Sequence, residues 1–127
     1  MYATTYAKAK DVADAVSQLK GADEGKLLAG GQTLIPTLKQ RLASSDCLID
    51  LSDAGLSGIS DEGGSIRIGA MTRHVEVETS ELVKKAIPAL AALASGIGDR
   101  QVRNCGTIGG SVANNDPSAC YPVSYTH

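Results

Sequence analysis

Two glycine-rich turns hold the residues whose types and spacing could do chemistry. They are Ala29-Gly30-Gly31-Gln32-Thr33 and Gly106-Thr107-Ile108-Gly109-Gly110-Ser111. Glycine lets a backbone approach a ligand with no Cβ in the way. Where such a turn opens a helix, its N–H groups have no helical partner and the helix dipole favours negative charge. The first turn sits between an apolar run, "KLLA", and a helical pattern. Each N–H given to an anionic oxygen is worth roughly 1.5–3 kcal/mol. Two such turns brought together from distant sequence could grip a pyrophosphate from both sides. Spacing alone leaves the question open. Neither turn is a GxGxxG after a strand, and neither carries the lysine of a GxxxxGK[ST] loop. On spacing the first reads rather as a tight strand-to-helix turn, and the second equally as a flexible loop.

The neighbours of the second turn suit a polar ligand. Thr107, Ser111, Asn114 and Asn115 are neutral donors fit for a phosphate, a sugar or the edge of an amide ring. Asp116 would repel a phosphate and suits a hydroxyl or a ring N–H. Asn-Asp-Pro is also a good turn starter. Arg100 and Arg103 read either as a solvated face or as counter-charges for phosphate or a partner's acids. Other constellations fail. His74 is the one histidine before the last residue, so no triad can be built. On a short helix after Arg73, it is expected to be solvated. Cys47, Cys105 and Cys120 have no CxxC spacing; they read as reduced core residues rather than as disulfides or metal ligands.

The elements that must position these turns follow from periodicity. Asp11 caps a helix in which Val12, Val16 and Leu19 share a face. Gly21 to Gly25 breaks it. Lys26 to Ala29 reads as a buried strand. A helix then starts at Thr33 with Pro36 in its first turn and Leu34, Leu38 and Leu42 on one face. Cys47 to Leu51 reads as a second strand, which makes a β-α-β crossover over a small parallel sheet. "GISDEGGSIRIGA" alternates, and Gly63-Gly64 turns a hairpin between Ile59 and Ile66–Ile68. Thr72 is expected to cap a helix through Glu78 and Ser80 one through Lys85. Pro88 opens an alanine-rich helix that ends at Gly96. From Ile97 the sequence reads as loop.

The bulk numbers bound the answer. The chain has 127 residues, enough for one real core, which must be aliphatic because Trp and Phe are absent. A net charge of −2 with one short basic cluster, Lys39 to Arg41, argues against a nucleic-acid surface. The longest apolar run, Ala86 to Ala94, is about half a membrane span. "MYATTYAKAK" has no apolar signal region, so a cytoplasmic location is expected.

Taken with their surroundings, these turns make the chain resemble the medium, flavin-carrying subunit of the molybdenum hydroxylases, the carbon monoxide dehydrogenase and xanthine dehydrogenase family. The stretches that carry the resemblance are "LLAGGQTLIPTLKQRLA", "IRIGAMTRHVEVE" and "IGDRQVRNCGTIGGSVANNDPSACYP". The resemblance implies an α+β fold of two α/β subdomains, the FAD-binding fold of the PCMH type, with FAD as cofactor. Residues 1–52 would form the first subdomain and 53–122 the start of the second. It implies that Ala29, Gly30, Gly31, Gln32, Thr33 and Leu34 hold the FAD pyrophosphate together with Thr107, Ile108, Gly109, Gly110 and Ser111. Asn114 and Asp116 fall where further flavin contacts are made. It implies no catalytic residue on this chain. Electrons would come from a 2Fe-2S small subunit, after hydroxylation on a molybdenum-cofactor large subunit, and pass to an external acceptor within a hetero-oligomer. A stand-alone flavin oxidase or reductase on the same fold, and a remnant without cofactor, are the alternatives. Cys120 departs from an aspartate found in many members. The chain also stops before the family's apolar continuation, so a truncated second subdomain is expected, with residues 123–127 a foreign or disordered tail.

Overall fold

The structure, a computed structural model, describes residues 1–116 and Tyr121. The chain divides into two units, Met1–Leu56 and Ser57–His127.

In the first unit, five elements follow one another: β1 (Thr5–Lys8), α1 (Val12–Gly21), β2 (Lys26–Leu28), α2 (Leu34–Lys39) and β3 (Cys47–Asp50). The three strands are parallel in the order β1-β3-β2. Ala7 and Leu27 both stand opposite Ile49 in the register. Ile49, Ala9 and Ala15 are buried together, with Leu19, Cys47 and Leu51 packed around them. Asp11 caps α1 as expected, its carboxylate accepting the Asp14 N–H at 2.7 Å. Asp11→Ala should lower the unfolding free energy by about 1 kcal/mol. A urea melt unchanged by the substitution would show that this cap contributes nothing.

Two expectations for this unit need correction. β1 was not expected, because Thr-Tyr-Ala-Lys is largely exposed and Ala and Lys favour strands weakly. It forms because β3 offers it a parallel partner. At α2, Thr33 makes no capping hydrogen bond and is itself in the helical region. Its carbonyl instead accepts from both the N–H and the hydroxyl of Thr37. The helix ends at Lys39, and Arg41 turns left-handed at φ 57°. Leu38 is therefore buried while Leu42, off the helical face, is 75% exposed.

The second unit begins with an antiparallel hairpin, β4 (Ile59–Asp61) and β5 (Ile66–Ile68), Ile59 facing Ile68. Gly63 and Gly64 take positive φ in its turn, closed by Glu62 N–H to the Ser65 carbonyl at 2.9 Å. Helices follow: α3 (His74–Thr79), α4 (Glu81–Ala86), α5 (Pro88–Ser95), α6 (Arg100–Cys105) and α7 (Ile108–Asn114). Ser80 caps α4 and Pro88 opens α5, as the sequence suggests. The core comprises Val77, Val83, Ala91, Ala94, Ile97 and Tyr121. The small side chains of α5 let it lie close to its neighbours in that core.

Here too the structure departs from expectation. Thr72 caps no helix. Its hydroxyl is buried, accepting the Gly58 N–H at 3.0 Å and donating to the Gly58 carbonyl at 3.2 Å. The segment after Ile97 is largely helical. Asp99 accepts the Val102 N–H at 2.8 Å and Thr107 the Gly110 N–H at 3.1 Å, so two local caps start α6 and α7. Asn115, left-handed at φ 52°, ends α7. Among the described residues no helix is long and apolar enough to cross a membrane.

Candidate functional site

The first glycine turn leaves the sheet where β2 stops. The Leu28 carbonyl still accepts the Leu51 N–H at 3.0 Å, and the chain then swings into α2. Gly31 makes this possible with φ 73°. A Cβ there would lie 3.1 Å from Ile35 Cγ1 and 3.3 Å from Leu28 Cδ1. Both glycine carbonyls of the turn are used: Gly31 accepts from Ile35 N–H at 3.1 Å, and Gly30 from the Gln32 side-chain amide at 3.2 Å. The donors are not. The backbone N–H groups of Gly30, Gly31, Gln32, Thr33 and Leu34 meet no acceptor among the described residues. A run of unmatched N–H groups on a partly exposed turn is suited to the oxygens of an anion.

The second turn is arranged differently. Thr107 is the N-cap of α7, so Gly109 and Gly110 lie inside the first helical turn. Ile108 N–H donates to the Thr72 carbonyl at 3.0 Å and Gly109 N–H to the Ala70 carbonyl at 2.8 Å. Gly110 N–H goes to the Thr107 hydroxyl and Ser111 N–H to the Thr107 carbonyl, both at 3.1 Å. A Cβ on Gly109 would come within 2.6 Å of both the Cβ and the carbonyl oxygen of Ala70. This glycine is thus required by close packing of backbone on backbone. Ser111 is half-buried, and Asn114 at the end of α7 and Asp116 beyond it are exposed.

The remaining candidates separate into structural and buried groups. Arg103 links α6 to α3 through Glu78 at 3.3 Å, and its guanidinium also donates to the carbonyls of Ile97 and Gly98. Arg100 is exposed. Cys47 is half-buried but Cys105 is exposed, which corrects its reading as a core residue. Cys120, Pro122 and residues 123–127 lie outside the described residues. His74, expected to be solvated, is only 5% exposed. Its Nδ1 stands 3.1 Å from the Tyr121 hydroxyl, and burial holds its imidazole below the usual histidine range. The signal for its burial was its spacing from Val77, three residues along the same helix face. Among the described residues no group of three or more His, Cys, Asp or Glu could hold a metal ion.

Comparison with known proteins bears on this geometry. The family described as "FAD binding domain in molybdopterin dehydrogenase" matches residues 2–126. The glyceraldehyde dehydrogenase medium chain of Sulfolobus acidocaldarius is 38% identical over 123 residues, 96% of this chain and 44% of that one. Among solved structures, carbon monoxide dehydrogenase from Hydrogenophaga pseudoflava aligns with a TM-score of 0.89 at 42% identity. That match covers 91% of this chain and 41% of the other. Quinoline 2-oxidoreductase from Pseudomonas putida 86 gives 0.90 at 34% identity, over 93% and 42%. The chain therefore spans about two-fifths of the length of the relatives it matches.

Proposed function

The chain belongs to the family of FAD-binding domains of molybdopterin dehydrogenases, and from that premise we propose that it is the flavin-binding part of an electron-transfer subunit in a molybdenum hydroxylase. Its cofactor is FAD. When bound, FAD supplies the redox chemistry.

The protein's own task is to hold that cofactor. The observation that carries this reading is the run of unmatched N–H donors from Gly30 to Leu34. We assign them, with Ala29, to the FAD diphosphate, in residues 1–52. The second segment, in residues 53–122, is assigned to further contacts from Thr107 through Ser111 and from Asn114 and Asp116. Because the N–H groups of Ile108 to Ser111 already have acceptors, this segment would act through side chains and through the low relief of its glycines. No residue here is assigned to attack on an organic substrate. Substrate oxidation is placed on a molybdenum-cofactor large subunit, with a 2Fe-2S small subunit carrying electrons to this one and an external acceptor removing them.

The test is a titration of the chain with FAD and with FMN, followed by quenching of flavin fluorescence. FAD should bind at least about tenfold more tightly, since FMN lacks the diphosphate and one charged contact is worth at least about 1.4 kcal/mol. Equal affinities would remove the diphosphate from the first turn. Reduction of the bound flavin by an organic substrate without partner subunits would favour a stand-alone oxidase instead.

A further inference from the structure

Three hydrogen bonds form a short ladder between the segment before α3 and the start of α7. They run from Gly109 N–H to the Ala70 carbonyl at 2.8 Å, from Ile108 N–H to Thr72 at 3.0 Å, and from His74 N–H to Gly106 at 3.0 Å. The last two flank an antiparallel bridge between Arg73 and Thr107. His74 closes the ladder with its ring as well as its backbone. A Cβ on Gly106 would lie 2.8 Å from ring atoms Cδ2 and Nε2, so the imidazole edge rests directly on the Gly106 backbone. Its other side faces Tyr121, centroid to centroid at 5.2 Å and tilted by 48°.

We propose that His74 is a positioning residue which, as a neutral imidazole, holds the Gly106–Thr107 entry to the glycine segment, so that acidification releases this segment and weakens FAD binding. The proposal rests on the assignment of that segment to FAD given above. A neutral imidazole needs one donor and one acceptor role, and Nδ1 meets the Tyr121 hydroxyl in one of them. An imidazolium needs acceptors at both nitrogens. Among the described residues the Tyr121 hydroxyl is the one hydrogen-bond partner of the ring. Among the described residues nearby charge offers no rescue. On its own helix, Glu76 accepts the Arg73 N–H at 2.7 Å and Glu78 pairs with Arg103 of α6. Asp99 caps α6 and Arg100 is exposed. On α4, Glu81 pairs with Lys84 and Lys85 is exposed. α5 and α7 carry no charged side chain. Burial alone lowers the His74 pKa.

The sign follows from linkage. The unfolded chain takes up a proton on His74 near pH 6.5, an ordinary value of about that size, and the folded chain only at lower pH. Between the two the unfolded state holds more protons. Stability from the buried neutral ring is thus fully present above the unfolded value and is lost as pH falls through the folded one.

The chain suits a direct test, because His74 and His127 are its two histidines. Their imidazole nitrogens can be followed by NMR in the isotopically labelled chain, with His127→Ala assigning the signals. His74 should titrate below the ordinary histidine range, and the amide signals of Gly106, Thr107 and Gly109 should move with His74. Across that titration the FAD dissociation constant should rise at least about tenfold, and His74→Gln should bind FAD without that dependence. If His74→Gln does not fold, Tyr121→Phe takes its place and must shift the imidazole, amide and affinity profiles together. Amides that ignore His74, or an affinity flat across its titration, would overturn the proposal. A chain that binds no FAD at any pH, yet shows the amide coupling, would instead sink the flavin assignment and leave the ladder intact.

Discussion

Gly109→Ala is expected to lower the unfolding free energy by about 3 kcal/mol, the upper part of the range for overpacked sites. The added Cβ would stand 2.6 Å from both Cβ and the carbonyl oxygen of Ala70, and 2.9 Å from its Cα. Two of those three atoms are backbone, so no rotamer change relieves the contact. The same displacement stretches the 2.8 Å hydrogen bond from Gly109 to Ala70, which contributes about 1 kcal/mol on its own. Urea unfolding measures the loss. Adding Ala70→Gly should restore only part of it, because the carbonyl oxygen and Cα remain. Gly21→Ala is the matched control. A Cβ there meets nothing within 4 Å, and the position lies in α1, where alanine is the better helix former. A Gly109→Ala chain as stable as this control would show that the ladder to Ala70 is not formed.

Gly31→Val should weaken FAD binding by about a hundredfold, close to 3 kcal/mol. A β-branched residue at φ 73° carries backbone strain of about 1–3 kcal/mol. Its Cβ meets the ends of Ile35 and Leu28 at 3.1 and 3.3 Å, and those side chains can yield by a few tenths of an ångström. The strain at φ 73°, by contrast, is relieved only by rotation within the turn itself. Any rotation of that peptide re-aims the N–H groups between Gly30 and Leu34, and each one lost from an anionic oxygen costs roughly 1.5–3 kcal/mol. Gly110→Val probes the second turn in the same titration. Unchanged affinity in both variants would dismiss the assignment of the first turn to the diphosphate and of the second to further FAD contacts.

The elements whose signals are local could be read from the sequence. Asp11, Ser80 and Pro88 each mark a helix start within a turn of where it occurs, and the Gly63-Gly64 pair sits in the hairpin loop. β1 could not be read in this way. Its pairing partner, from Cys47 to Asp50, is remote in sequence, and two of its four residues, Ala7 and Lys8, favour strands weakly. α7 was hidden by its glycines, which weigh against a helix in any propensity sum. The hydroxyl of Thr107 and the carbonyls of Ala70 and Thr72 outweigh that deficit. The residue types of the candidate site pointed to an anion, since neighbouring glycines with small hydroxyls and amides suit one. What the residue types could not show was which N–H groups already have acceptors. That depends on Ala70 and Thr72 lying beside Ile108 and Gly109, a tertiary fact.

The strand order β1-β3-β2 also governs how the first unit is made. Its central strand is the last of the three to be synthesised, and neither outer strand pairs with the other. A nascent chain that has reached only Ser45 can form α1, but it has no sheet for that helix to cover. Residues 47–50 must emerge before any strand pairing begins, and both pairings then become possible almost at once. Assembly of this unit on the ribosome is thus concentrated in one late step. A pause before residues 47–50 have left the exit tunnel would leave Ala9, Ala15 and Leu19 without Ile49, the residue they pack against, whereas a pause a few residues beyond Asp50 plus the length of the exit tunnel would not delay the sheet at all.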